Sequence, residues 1–132
     1  MSFVLVCIIH ELGHCCVIWA YGGKIRSVDL SCFGVRITAD QPAGMWEGTV
    51  VLLSGPAVNI AVYVLSAVFG NNGYFPMLNL AEGIFNLLPF PFLDGGALLE
   101  MFITGSVHEE KLRAVLRVLQ AASVIAVVYI II

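Results

Sequence analysis

The chain has 132 residues, 60% of them hydrophobic and only 11% charged, with a mean hydropathy of +0.97. A soluble domain carries roughly 25% charged residues, and a small fold cannot hide so large an apolar share from water. Six Lys and Arg against nine Asp and Glu give a net charge of −3 with no basic stripe. A disordered chain, a cytosolic monomer and a nucleic-acid binder are therefore excluded, and an integral membrane protein is expected.

A bilayer crossing takes about 20 mostly apolar residues. Residues 1–21 form such a run, interrupted by His10, Glu11 and His14. The run lacks a basic leader and a small-residue cleavage site, so it is expected to stay in the mature protein. Residues 24–38 are polar by comparison. Val28, Leu30 and Cys32 alternate there with Asp29 and Ser31, and Val35 and Ile37 flank Arg36, which predicts a small β-hairpin turning at Phe33-Gly34. Residues 46–69 form the second span. Its Pro56 removes one helix hydrogen bond and crowds the Leu52 carbonyl, and Asn59 either repairs that defect or faces a site.

Residues 74–103 make a third segment, broken near 89–94 by Pro89, Pro91 and the Asp94-Gly95-Gly96 run, and residues 112–132 make a fourth. The expected fold is an α-helical polytopic membrane protein with about four membrane segments, one of them discontinuous, and a small β-hairpin between the first two. All of it belongs to a single domain, 1–132. Lys24, Arg26 and Arg36 follow the first span, and Lys111, Arg113 and Arg117 gather at the start of the fourth. One crossing by the broken segment puts both groups on one face, cytoplasmic by the positive-inside rule, with both chain ends outside. Trp19, Tyr21 and Trp46 fall at that boundary, as an aromatic belt does.

Ionisable side chains inside a span are expensive and mark function. His10-Glu11-Leu12-Gly13-His14 supplies three. Helix positions i and i+4 share a face, separated by about 6 Å of rise, so both imidazoles can reach one metal ion. Glu11 adjoins His10, within hydrogen-bonding reach of a water held there, which is the HExxH pattern of zinc proteases. A soluble helix tolerates such residues on its surface, whereas an apolar span must offset their desolvation, and a metal does so. Zinc in a catalytic site takes a third protein ligand and leaves a position open. Asp94 is the candidate for that ligand, at the break of the third segment, where it also could cap the following short helix. Zn²⁺ with two neutral imidazoles and the Asp94 and Glu11 carboxylates sums to zero charge, the favourable state in low dielectric.

His10-Glu11-Leu12-Gly13-His14, together with Asn86-Leu87-Leu88-Pro89-Phe90-Pro91-Phe92-Leu93-Asp94-Gly95, resembles the site-2 protease family of intramembrane zinc metalloproteases, and its small sporulation-type members above all. Ser54-Gly55-Pro56-Ala57-Val58-Asn59 is similar to that family's intervening G-P-x-x-N element. The resemblance implies one zinc ion held by His10, His14 and Asp94, with Glu11 as general base. It also implies a polar role for Asn86 at the scissile carbonyl or its oxyanion, and supporting roles for Asn59 and Pro56. An Asn amide in low dielectric is an effective donor to developing charge, although Asn86 could instead satisfy backbone groups freed by Pro89.

The expected substrate is a membrane protein with a transmembrane segment, cleaved in regulated intramembrane proteolysis. No screening domain is visible, so a membrane partner or trimming of the substrate is expected to exert control. The expected location is a bacterial plasma membrane, with the active site nearer the cytoplasmic face. Two rival readings use the same residues: a catalytically inactive metal-binding scaffold, and a metal transporter. The retained Glu11 counts against the first, and the gathering of polar groups in one cluster counts against the second.

Overall fold

The structure, a computed structural model, describes residues 2–31, 34–39 and 44–131. Cys32 and Phe33, at the expected turn, lie outside the described residues. The elements follow as α1 (Ser2–Ala20), β1 (Ile25–Ser31), β2 (Gly34–Ala39), α2 (Met45–Val68), α3 (Tyr74–Asn86), α4 (Asp94–Ile103) and α5 (Glu109–Ile131). They divide into two compact units, Met1–Asn86 and Leu87–Ile132.

In the first unit α1, α2 and α3 pack on one another, and β2 lies against α1. At 19 and 24 residues, α1 and α2 are the two helices among the described residues that are long and apolar enough to cross a membrane. Such lengths correspond to about 28 and 36 Å, against a hydrocarbon core of about 30 Å. Val6, Cys7, Cys15 and Ile18 of α1 and Val51 of α2 are buried, while Leu5, Leu12, Leu53 and Leu65 stay exposed, as lipid-facing residues must be. Trp19, Tyr21 and Trp46 are exposed as well.

The two strands pair antiparallel, Val28 opposite Ile37 and Leu30 opposite Val35, with an irregularity between Ile25 and Ser27. α2 continues through the buried Pro56. α3, with 13 residues, stops at Asn86. That is about 20 Å of helix, short of a full crossing. It ends three residues before Pro89, and Pro89 and Pro91 disfavour helix at the residues just before them.

In the second unit residues 87–93 form a tight irregular stretch, closed by Phe90 N–H on Leu88 O and Leu93 N–H on Phe90 O, both at 2.9 Å. Gln120 of α5 donates its Nε2 to Pro89 O at 2.8 Å and ties that stretch to the helix. α5 begins at Glu109. Glu109 and Glu110 favour the positive N-terminal end of the helix dipole. The Gly105 N–H and the Arg113 guanidinium hold the Glu109 carboxyl below its ordinary range. Arg113 also meets Glu100 Oε2 at 2.6 Å, an ion pair exposed enough to add little stability.

Candidate metal centre

One turn apart on α1, His10 and His14 bring their Nε2 atoms to 3.1 Å, with the rings at 80° and their centroids 4.8 Å apart. Two ligands of a tetrahedral zinc ion at 2.0–2.1 Å stand about 3.3 Å apart, so the spacing fits one divalent ion shared by both nitrogens. His10 is buried and His14 half-buried. Glu11, between them in sequence, is half-buried too.

The tautomer of His14 is set by α2. Its Nδ1 lies 2.7 Å from the Val51 carbonyl, which can only accept, so Nδ1 carries the proton and Nε2 keeps its lone pair. That is the outer-shell contact which orients metal-ligating histidines. Ser54 donates its hydroxyl to the same carbonyl at 2.6 Å, and its Oγ lies 3.4 Å from His14 Nδ1.

The two helices can approach this closely because glycines face each other. A Cβ on Gly13 would stand 2.7 Å from Ser54 O and 3.1 Å from Gly55 Cα. A Cβ on Gly55 would collide with the His14 ring at Nε2 and stand 2.8 Å from His10 Cε1. Gly55 thus forms the floor beneath both imidazoles. Gly55→Ala is expected to weaken zinc binding at least about 10-fold, measured by competition with a chromophoric chelator. Unchanged affinity would show that the rings have room to retreat.

Asp94 belongs to the second unit. The sequence allows Asp94 as the cap of the short helix, and the structure gives that position to its neighbour. Leu93 holds the N-cap in an extended conformation (φ −114°, ψ 158°), and Asp94 is the first helical residue of α4, where the helix dipole favours a carboxylate. Gly95 and Gly96 let the preceding stretch fold back on this turn, because a Cβ at either would collide with the backbone of Leu87 or Phe90. His10, His14 and Asp94 each offer one ligand atom of the type zinc takes, an imidazole nitrogen or a carboxylate oxygen.

Asn86 closes α3, and its Nδ2 donates to the Glu82 backbone carbonyl and to Glu82 Oε1, both at 3.1 Å. Asn59 is fully buried, facing Gly83 of α3, and neither of its amide atoms has a hydrogen-bond partner among the described residues. It therefore leaves the carbonyl crowded by Pro56 unrepaired. A buried polar group without a partner costs its desolvation. Asn59→Leu is expected to raise stability by about 1–2 kcal/mol, read from thermal unfolding in detergent. A loss of stability would show a polar partner for Asn59.

Three contributors carry no role in the reading of the sequence: the Val51 carbonyl, which reaches His14 across 37 positions of chain, Asn79, fully buried on α3, and Gln120 on α5. The sequence offers Glu82 either as a partner of Asn86 four residues on or as an interfacial residue, and the structure pairs it with Asn86. Cys15 is buried and Cys16 exposed. His108 lies exposed in the turn before α5.

Residues 72–129 match the model of peptidase family M50. The chain is 31% identical over 106 residues to the candidate zinc metalloprotease sll0528 of Synechocystis sp., a match covering 71% of this chain and 28% of that protein. It is 28% identical over 121 residues to Stage IV sporulation protein FB of Bacillus subtilis, covering 84% of this chain and 42% of that one. Among solved structures it is similar to the site-2 protease from Methanocaldococcus jannaschii, with a TM-score of 0.68 and 26% identity over 86% of this chain and 57% of that one. The chain spans less than half the length of these two curated relatives. The chain carries a domain of peptidase family M50, the site-2 protease family, and is similar in fold to a site-2 protease.

Proposed function

We propose that the chain is an intramembrane zinc metalloprotease, an endopeptidase that hydrolyses peptide bonds in or near transmembrane segments of membrane proteins, as in regulated intramembrane proteolysis. The observation that carries the reading is the pair of Nε2 atoms 3.1 Å apart on an apolar helix. The proton of His14 is committed to Val51 O, and Glu11 stands between the two ligands in sequence.

In this reading His10, His14 and Asp94 hold the zinc ion. When bound, zinc polarises the scissile carbonyl and lowers the pKa of a water it holds towards about 7. Glu11 takes the proton from the attacking water and passes it to the departing amine nitrogen. Asn86 makes a polar contact with the peptide main chain at the scissile bond, while Asn59 and Pro56 shape the helix behind the histidines. A substrate helix hides its carbonyls in hydrogen bonds and must unwind locally before it reacts. The β1–β2 pair offers a strand edge to the unwound segment. Photocrosslinking from positions 35 and 37 is the check, and no adduct anywhere on the pair would remove that role.

This reading takes four crossings, the third by a discontinuous segment within residues 74–103, which leaves both ends outside and the basic residues inside. The location that fits is a bacterial plasma membrane with the site nearer the cytoplasmic face. The partner is a membrane-protein substrate, controlled by a second membrane protein or by a first cut elsewhere in the substrate. Reconstitution with a single-pass substrate tests the reading. Cleavage that stops on chelation and returns with added zinc supports it, whereas metal flux without cleavage supports a transporter.

A further inference from the structure

Both acceptors of the Asn86 amide come from one residue. Nδ2 lies 3.1 Å from the Glu82 backbone carbonyl and 3.1 Å from Glu82 Oε1. A backbone carbonyl can only accept, so the atom that faces it is the amide nitrogen, and Oδ1 is turned away. The amide group has two hydrogens, and Glu82 takes both. Glu82 is steadied in turn from α1, where the buried Cys7 directs its thiol at Oε1 from 3.9 Å. Oδ1 of Asn86 has no partner among the described residues.

A donor role for Asn86 at an oxyanion would require Nδ2 to leave Glu82. What the side chain offers as it stands is an acceptor. We propose that Glu82 is a positioning residue that fixes the polarity of Asn86, so that Oδ1 accepts a hydrogen bond from a main-chain N–H of the unwound peptide beside the scissile bond. This rests on the protease reading. An unwound segment below the lipid surface exposes N–H donors that water does not satisfy, and each is costly until it finds an acceptor. Asn86 Oδ1 supplies one such acceptor, and Glu82 keeps it aimed.

Two arms test the proposal on the full chain in detergent. In the first, side-chain amide signals of ¹⁵N-asparagine-labelled protein are recorded, with the Asn86 pair identified by its absence in Asn86→Asp. Glu82→Ala should shift that pair and speed its hydrogen exchange, while Glu82→Gln, which keeps an acceptor, should move it less. An unmoved pair in Glu82→Ala overturns the positioning role, whether or not any peptide is cleaved. In the second arm, Asn86→Leu should lose about 100-fold in kcat/KM. Glu82→Gln keeps an acceptor oxygen for Nδ2 and so keeps Oδ1 of Asn86 aimed, and it should retain about a tenth of wild-type kcat/KM or more. An Asn86→Leu variant that carries zinc and cleaves as well as the wild type overturns the acceptor role. If the wild type cleaves nothing, the protease reading fails, and the first arm still decides what Glu82 does.

Discussion

Glu11→Gln is expected to lower cleavage of a reconstituted substrate by about 10²- to 10⁴-fold while leaving zinc content unchanged. Gln has the shape of Glu and can still accept a hydrogen bond from a water, but it cannot take that water's proton at any ordinary pH. The two ligands beside it keep their geometry, because the Nε2 pair and the His14 contact to Val51 O do not involve the side chain at position 11. The loss should therefore fall on kcat rather than on substrate binding. Persistent cleavage by Glu11→Gln would remove the general base from the mechanism. Loss of zinc in the same variant would make Glu11 a ligand instead.

Asp94→Ala is expected to reduce zinc affinity by at least about 100-fold and to abolish cleavage at ordinary zinc concentrations. Two neutral imidazoles leave the ion's double charge to Glu11 alone, a poor state in low dielectric. On the proposed ligand set Asp94 would supply the balancing carboxylate; it is the first helical residue of α4, with Leu93 at the N-cap. Asp94→Asn keeps the size and removes the charge, so it separates the electrostatic share from the steric one. Equal zinc affinity in wild type and Asp94→Ala, followed by equilibrium dialysis, would send the third ligand elsewhere.

How much of this the sequence discloses depends on the range of each interaction. The two histidines are legible because i and i+4 spacing fixes a shared helix face without any tertiary information. A break in the third segment is legible near 89–94 because Pro89 and Pro91 act on their immediate neighbours, whereas the helix already ends at Asn86, three residues before Pro89. The cap at Leu93 is not legible, because Asp is the better capping residue by type. The backbone instead places Leu93 in the extended conformation that precedes the helix, with the Ala97 N–H bonded to its carbonyl. The acceptor for His14 Nδ1 is a main-chain carbonyl on another helix, and every residue carries one, so no residue type announces it. Gly55 stood in a recognisable element, yet its use as a floor under two imidazoles emerges only from how α1 and α2 pack. Gln120 and Asn79 show the converse: polarity in an apolar helix signals a role, and only the folded chain names it.

The central claim is a single zinc ion with two imidazoles and one carboxylate as its protein ligands. X-ray absorption at the zinc edge on purified, zinc-loaded protein measures that donor set directly. The predicted spectrum has nitrogen and oxygen donors only, at about 2.0–2.1 Å, with an imidazole signature of two rings. A sulfur shell at about 2.3 Å, which Cys15 or Cys16 on the same helix would supply, or a protein that retains no zinc at all, would contradict the account.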